Sequence, residues 1–286
     1  HTSGTTSKPK LVPITHKSIS IAMDAFCSSY NLSTNDRHLH LMPLFHIGGI
    51  GPGLLSSLFS GGAVVLPERF DPVKFWEQII LYKVTWVTAV PTIFKSVLDR
   101  VELDCPGGKA PQGNVLRFLR SAAAPLDADT ENKLRALVGV PIINSYAMSE
   151  AASLVASASL KGPSKMGSVG LPVGDIEIKI LVDNGSGEST SATTGQDGEI
   201  CLKGSHIFQG YVRDEVASKA AFTSDGWFRT GDFGHVDSDG HLFITSRVKE
   251  LIIRGGENIS PIEIDEVVMR HPNAAEAGLF RVLFRV

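Results

Sequence analysis

Hydroxyl and lysine side chains are concentrated in the first ten residues of the chain. Residues 1–10 contain five Ser or Thr residues, one glycine and two lysines. Ser and Thr compete for backbone hydrogen bonds, so this segment is not expected to form a regular helix. Its hydroxyls, backbone N–H groups and lysines are the donors that a polyphosphate needs. It is not a Walker loop, because no second glycine precedes Lys8, and a Ser/Thr-rich surface turn is the alternative.

Small and polar residues also follow several predicted strands. The strand at 39–44 runs into a turn that contains His46, the strand at 115–119 into the segment 121–126, and the strand at 141–144 into a loop at 145–150. Ligands of open parallel sheets bind outside the carboxyl ends of the strands. We therefore expect these loops to converge with the first segment.

Strand and helix signals alternate along the first part of the chain, which predicts a parallel α/β sheet with flanking helices. Helices are expected after Thr15, Asp71 and Asp127, each of which offers a capping side chain, and at Pro91. Residues 63–66 read as a buried strand between two of them.

From about residue 167 the pattern changes to antiparallel β structure. Apolar and polar residues alternate at 176–180 and 199–203, with Gly-, Ser- and Asp-rich turns between strands. Asp239-Gly240 predicts a hairpin, for which we read Asp237 and Asp239 as turn residues and not as metal ligands. This region is predicted to be a small β-barrel subdomain. A further helix is expected to begin at Pro261.

Composition and charge limit the possible classes of protein. The 286 residues are 43% hydrophobic and 20% charged, as in globular proteins, and the net charge of -3 argues against a basic nucleic-acid-binding surface. Cys27, Cys105 and Cys201 are far apart without metal-ligand spacing, which favours a reducing compartment. No apolar run of 18 residues is present, so a spanning helix is not expected.

Five ordered segments resemble the adenylate-forming superfamily, which includes acyl- and aryl-CoA ligases, luciferases and the adenylation domains of peptide synthetases. The segments are 2–10, 121–126, 146–150, 230–232 and 247–263. Glycines usual in this family are replaced at Ser7 and Ala147, and its usual threonine is replaced at Ser149, which keeps the hydroxyl. The resemblance extends over nearly the whole chain, to about His271.

The resemblance implies a two-step reaction. A carboxylate attacks the α-phosphate of ATP to give an acyl-adenylate and pyrophosphate, and a thiol, usually that of coenzyme A, then displaces AMP. Cofactor contacts are implied for Thr2, Ser3, Gly4, Thr5, Thr6, Lys10, Ala122, Ala123, Ala124, Pro125, Tyr146, Ser149, Asp232 and Arg247. Among these, residues 2–10 would hold the β- and γ-phosphates, Tyr146 would stack on adenine, and Asp232 and Arg247 would bind the ribose. Glu150 would hold Mg²⁺, and His46 would lie beside the acyl carboxylate. The candidate catalytic residues are Thr2, Lys10, His46, Ser149, Glu150 and Lys249.

Each assignment has a structural alternative. Tyr146 alone is read as a core residue, His46 as a hydrogen-bonded structural histidine, and Asp232 as a turn residue. Glu150 alone would be a solvated acid at a helix start. His16, His235 and His241 are interpreted as structural.

The resemblance also implies a domain organisation. Residues 1–246 would form a large AMP-binding domain, incomplete at its amino terminus, with an α/β part at 1–166 and a β-rich part at 167–246. Residues 247–286 would hold the hinge, at Lys249, and the start of a small carboxy-terminal lid domain. The family lysine that bridges the carboxylate and the phosphate would lie beyond this segment, so we expect residues 1–286 alone to be inactive.

The leading hypothesis is an ATP-dependent acid–thiol ligase similar to acyl-CoA synthetases, with ATP, Mg²⁺ and coenzyme A. An adenylation domain that loads a carrier protein and a non-catalytic nucleotide-binding module are the alternatives. Nucleic acid and a transmembrane segment are not expected, and a cytoplasmic or peroxisomal location is. The acid is not identified by the sequence.

Overall fold

The computed structural model describes residues 2, 9–124, 126–161, 165–183, 189–248, 252–254, 257–259, 261–269, 271, 274 and 277–279. The chain divides into two compact units. The first comprises His1–Ile176 and Gly204–Ala220, and the second comprises Glu177–Lys203 and Ala221–Val286. The domain boundaries suggested by the sequence remain a prediction.

The first unit contains a sheet in the order β2-β1-β3-β4-β5-β6-β7. Its strands are β1 (Arg37–His40), β2 (Ala63–Val65), β3 (Trp86–Ala89), β4 (Phe118–Ser121), β5 (Ile142–Met148), β6 (Ser153–Ser157) and β7 (Ser168–Pro172). The strands β1 to β5 are parallel to one another, whereas β6 runs antiparallel to both β5 and β7. The predicted parallel construction is therefore confirmed for the first five strands.

Helices pack on both faces of this sheet. The α-helices of the first unit are α1 (His16–Tyr30), α2 (Ser56–Phe59), α3 (Phe75–Leu81), α4 (Pro91–Leu98), α5 (Val101–Asp104), α6 (Ala128–Val138) and α7 (Glu215–Ala220). Side chains of α3, α4 and α6 pack on one face, where Phe75 and Phe94 are almost completely buried, and α1 packs on the other face through Phe26 and Tyr30. Each large apolar side chain removed from water contributes about 1.5–3 kcal/mol.

The predicted helix starts are found in the structure. Thr15 and Ser18 form a capping box at the start of α1, and Asp127 accepts a hydrogen bond from the Thr130 N–H at the start of α6. Asp71 caps a short 3₁₀ turn that leads into α3, and Pro91 is the first residue of α4.

Two expectations about the strands are wrong. Residues 63–66 were expected to be buried, but β2 is an edge strand and Ala63 is exposed. The loop expected at 145–150 is instead strand as far as Met148, because this half of β5 pairs with β6. Long-range pairing of this kind leaves little trace in the local pattern of residues.

The second unit contains an antiparallel sheet in the order β12-β11-β10-β8-β9. Its strands are β8 (Glu177–Asp183), β9 (Ser189–Ser191), β10 (Gly198–Lys203), β11 (Phe228–Val236) and β12 (Leu242–Arg247). The antiparallel prediction and the hairpin at Asp239-Gly240 are confirmed. Among the described strands this sheet is not closed, so the barrel is not confirmed.

The same unit ends in a small ribbon and a helix. The strands β13 (Ile252–Arg254) and β14 (Glu257–Ile259) pair antiparallel, and α8 (Pro261–Met269) begins at the predicted proline. In the part of the chain that the structure describes, no helix has the length and apolar character needed to cross a bilayer.

Candidate functional site

Two hydrogen bonds join Thr2 and Lys10 in the first segment. The Thr2 N–H donates to the Lys10 carbonyl at 3.0 Å, and the Lys10 N–H donates to Thr2 Oγ1 at 3.2 Å. The predicted phosphate contacts Ser3, Gly4, Thr5 and Thr6 lie outside the described residues.

Glu150 is buried and is held by hydrogen bonds from two other residues. It lies in the 3₁₀ turn Ser149–Ala151 that follows β5, and it is only 9% exposed. Its Oε1 accepts a hydrogen bond from the Tyr211 hydroxyl at 3.0 Å, and its carbonyl accepts from the Phe208 N–H at 2.8 Å. Glu150 is therefore a buried and fixed carboxylate, not the solvated acid of the alternative interpretation.

Tyr211 connects this carboxylate to the end of the first segment. The Lys10 ammonium lies 4.6 Å from the centroid of the Tyr211 ring, and the Val212 N–H donates to the Leu11 carbonyl at 2.9 Å. Burial first, and then the neighbouring Glu150, raise the pKa of the Tyr211 phenol well above its usual value. The phenol therefore stays protonated and keeps donating to Glu150.

Tyr211 was not singled out from the sequence. Its partner Glu150 is 61 residues away, so no local spacing connects the two residues. The only hint in the sequence was the glycine that precedes the tyrosine. In the structure Gly210 has a φ of +138°, a conformation that favours glycine.

The end of β4 presents three small side chains in a turn. Ala122 is buried and its N–H donates to the Ala89 carbonyl, whereas Ala123 and Ala124 are exposed. Ala123 has a φ of +70°, in the left-handed region that non-glycine residues rarely adopt. Strained backbone of this kind is found often at ligand sites. Pro125 lies outside the described residues.

Tyr146 follows this turn on the neighbouring strand, and Ser149 lies three residues further along the chain. Tyr146 is on β5, two residues beyond the pairing of Asn144 with Ser121, and its side chain is 8% exposed. Ser149 begins the turn that holds Glu150 and is half-buried. The adenine-stacking role of Tyr146 and the α-phosphate role of Ser149 remain predictions.

His46 lies on an exposed turn after β1. Its Nδ1 accepts a hydrogen bond from the Gly48 N–H at 3.0 Å, which leaves the proton of the neutral ring on Nε2. The turn is tight, since a Cβ on Gly49 would lie 2.0 Å from the Pro43 carbonyl oxygen. His46 thus presents an N–H donor on the turn that follows β1.

The second unit holds the predicted ribose-binding pair. Asp232 on β11 and Arg247 on β12 are direct cross-strand partners, and Arg247 Nε lies 3.1 Å from Asp232 Oδ1. The Asp232 side chain is 6% exposed and the Arg247 side chain 56% exposed. Lys249, the predicted hinge, lies outside the described residues.

A cluster on the neighbouring hairpin has the donor types of a metal site. Ligand atoms of Asp237, Asp239 and His241 lie within 4.8 Å of one another. However, Asp237 Oδ1 already accepts hydrogen bonds from the Asp239 and His241 N–H groups, each at 2.9 Å. This geometry agrees with the interpretation of Asp237 as a turn residue.

Comparison with known proteins identifies the class of protein. Residues 1–212 match the family described as AMP-binding enzyme, so the chain belongs to that family. It is 46% identical to the "probable CoA ligase CCL9" of Humulus lupulus and 43% identical to an oxalate–CoA ligase of Arabidopsis thaliana. Each alignment covers 99% of this chain, and 53% and 54% of the respective relative.

A solved structure confirms the mixed α/β fold. The o-succinylbenzoate coenzyme A synthetase of Bacillus subtilis, in complex with ATP and magnesium ion, superposes with a TM-score of 0.85 at 34% identity. The superposition covers 97% of this chain and 55% of the other. The chain thus spans about half the length of the proteins that it matches.

Proposed function

We propose that the protein carrying this chain is an AMP-forming acid–thiol ligase, which activates a carboxylic acid with ATP and transfers it to coenzyme A. The observation that carries this proposal is the series of contacts from Lys10 through Tyr211 to Glu150. It joins a lysine at the end of a hydroxyl-rich loop to a buried carboxylate at the end of a sheet strand. Each of the relatives described above is named for joining an acid to coenzyme A or for being a CoA ligase.

The chemistry explains why these side chains occur together. The attack of a carboxylate on a phosphate brings two anions into contact, so charge neutralisation at the phosphates dominates the barrier. We assign Thr2, Ser3, Thr5, Thr6 and Lys10 to the β- and γ-phosphates, and Ser149 to the α-phosphate. The hydroxyls donate to phosphate oxygens, and Lys10 supplies a positive charge.

Glu150 offers the hard carboxylate oxygens that suit Mg²⁺. Glu150 has used one acceptor position for Tyr211, and a carboxylate has about four. When bound, the ion would neutralise phosphate charge. Tyr211 fixes the orientation of the carboxylate, and its phenol adds no charge of its own.

The remaining assignments concern the acid and the nucleoside. The Nε2–H of His46 is assigned to the carboxylate of the acid, and the turn Ala122–Ala124 with Tyr146 to adenine. In the second unit, Asp232 would accept hydrogen bonds from the ribose hydroxyls while Arg247 holds the aspartate in place. Lys249 stays assigned to the hinge by resemblance alone.

Coenzyme A is the preferred acceptor, because the relatives described above give no support to a carrier protein. A location in the cytoplasm or the peroxisome stays a prediction, which fluorescent tagging of the natural protein would test.

Acid-dependent exchange of labelled pyrophosphate into ATP tests the first half-reaction. The protein at its full natural length should catalyse exchange only when an acid and Mg²⁺ are both present, and should release a CoA thioester when coenzyme A is added. Binding of ATP without exchange for any acid in a broad panel would contradict the proposal and favour a non-catalytic nucleotide-binding protein.

A further inference from the structure

Three neighbouring strands of the first unit carry a row of buried polar side chains. His40 on β1 is in register with Thr88 on β3, and Thr88 is in register with Arg120 on β4. His40 is 5% exposed, and the other two are 0% exposed. Buried polar groups normally have hydrogen-bond partners. Several side-chain atoms of this row have none in the described part of the chain, which indicates that a further group binds there.

The guanidinium of Arg120 has the largest number of unused hydrogen-bond donors in the row. Its Nε donates to the Tyr30 hydroxyl at 3.3 Å, and its Cζ lies 5.2 Å from the centroid of the Phe26 ring. Its two terminal nitrogens make no hydrogen bond in the described part of the chain. No described Asp or Glu forms an ion pair with it either. A buried cation without a counter-charge is strongly unfavourable, and arginine cannot lose its proton, so an anion is expected here.

The neighbours of Arg120 supply neutral hydrogen-bonding groups. The Thr88 hydroxyl has no hydrogen-bond partner, and the His40 ring nitrogens have none of good geometry. Burial lowers the pKa of His40, while the nearby Met42 backbone raises it by less, so the ring is neutral and carries one N–H. The guanidinium of Arg120, next to the Thr88 hydroxyl and the His40 N–H, can donate hydrogen bonds to the oxygens of a carboxylate or a sulfonate.

This row lies one layer of side chains below the strand ends to which we assign the nucleotide and the acid. Ala122 is two residues beyond Arg120, a distance of roughly 7 Å along a strand. Ala122 offers only a methyl group. The strand that carries His40 leads directly into the turn that carries His46. Since β1, β3 and β4 are parallel, the turn with His46 and the turn with Ala122 follow the same edge of the sheet, to which we assign the acid.

We propose that Arg120, with Thr88 and His40, binds a second acidic group on the acid substrate, so that the enzyme activates short acids with two anionic groups. This inference rests on the proposed function. The competing occupant is a carboxylate of the protein itself, outside the described residues, which would make Arg120 purely structural.

The test compares acids matched in size but not in charge. The pairs are oxalate with acetate, malonate with propionate and succinate with butyrate, and hexanoate and coumarate serve as larger acids with one carboxylate. The readout is kcat/KM for acid-dependent pyrophosphate exchange by the protein at its full natural length. The natural protein should prefer the dianionic member of at least one pair by on the order of 100-fold.

Substitutions then assign that preference to the row. Arg120→Met should lower kcat/KM for the preferred dianion on the order of 100-fold and change the values for monoanions by less than about threefold. Arg120→Lys should restore part of the preference, because it keeps the charge. Arg69→Met is the control and should change neither value, since Arg69 is an exposed arginine between β2 and α3.

Two results would overturn the inference. One is a natural preference for acids with a single carboxylate. The other is an equal loss for all acids in Arg120→Met together with a lower melting temperature, which would identify a structural counter-ion in the protein. If Arg120→Met does not fold, the inference is tested by the acid preference of the natural protein and by Thr88→Val. We expect Thr88→Val to lower kcat/KM for the preferred dianion about tenfold. If none of the acids tested supports pyrophosphate exchange, the proposed function itself is refuted.

Discussion

Each of the two units buries one carboxylate of the predicted site, Glu150 in the first unit and Asp232 in the second, but the two are held in different ways. Glu150 in the first unit accepts its hydrogen bond from the neutral phenol of Tyr211, so its negative charge is not cancelled by that partner. Asp232 in the second unit forms an ion pair with Arg247 at 3.1 Å, so its charge is compensated. The first arrangement is suited to a cation, and the second to neutral hydroxyl groups.

The difference between the partners of the two carboxylates supports the roles that the resemblance implied, a magnesium ligand for Glu150 and a ribose ligand for Asp232. A carboxylate with uncompensated charge in a buried position binds a divalent ion strongly, because few water molecules compete for it. A carboxylate that is already paired with a cation gains little from a second one and is better suited to the neutral hydroxyls of a diol. The same residue type thus predicts a magnesium ligand in one unit and a ribose ligand in the other.

The largest expected effect is that of Glu150→Gln, which removes the negative charge of this side chain but keeps its shape. Loss of one preorganised electrostatic contact costs about 2–4 kcal/mol of transition-state stabilisation. Acid-dependent pyrophosphate exchange at subsaturating Mg²⁺ should fall correspondingly. Glu77→Gln, at an exposed acid on α3, is the control and should be silent. A Glu150→Gln rate within threefold of the natural rate would refute the assignment.

A smaller effect is expected for Asp232→Asn, which weakens the acceptor and leaves Arg247 unpaired. Hydrogen bonds to charged groups contribute about 1.5–3 kcal/mol, so KM for ATP should rise roughly 10- to 100-fold. The dependence on Mg²⁺ should not change. Asp239→Asn on the exposed hairpin is the matched control. An unchanged KM for ATP would favour the reading of Asp232 as a turn residue.

Tyr211→Phe should have a moderate effect, because it removes only the bond that orients Glu150. The loss of one hydrogen bond costs about 0.5–1.5 kcal/mol, or up to about tenfold in the exchange rate. The concentration of Mg²⁺ needed for half-maximal rate should rise as well. Tyr82→Phe, at an exposed tyrosine, provides the control. A lower rate with an unaltered Mg²⁺ requirement would indicate that Tyr211 acts elsewhere.

The smallest effect concerns stability at alkaline pH. The folded state raises the pKa of the Tyr211 phenol, whereas the unfolded chain releases this proton near pH 10. Above that pH the folded state binds more protons than the unfolded state, so stability falls as pH rises. Tyr211→Phe should therefore lose less stability than the natural protein between pH 9 and roughly pH 11, as measured by urea unfolding. Identical pH dependence in both proteins would contradict the raised pKa.

The sequence predicted best what local chemistry decides. Thr15, Asp71 and Asp127 were expected to cap helices, and each does so, because a cap depends on residues within one turn. Alternation at 176–180 and 199–203 likewise predicted the antiparallel pair of β8 and β10.

The sequence failed where contacts join distant segments. The end of β5 was wrongly expected to be a loop. It is strand because it pairs with β6, and this pairing is not visible in the local sequence. Tyr211 was missed for the same reason, since its partner Glu150 is 61 residues away. Arg120 was missed because the sequence does not show that this arginine, between Leu119 and Ser121, lies on a completely buried strand.

The most direct test of the contrast between the two carboxylates is metal affinity. Mn²⁺, used as a paramagnetic substitute for Mg²⁺, can be titrated with a non-hydrolysable ATP analogue and followed by electron paramagnetic resonance in the natural, Glu150→Gln and Asp232→Asn proteins. The account predicts that affinity for Mn²⁺ falls by on the order of tenfold or more in Glu150→Gln and stays unchanged in Asp232→Asn at a saturating concentration of the analogue. Equal affinities in all three proteins, or a loss confined to Asp232→Asn, would contradict it.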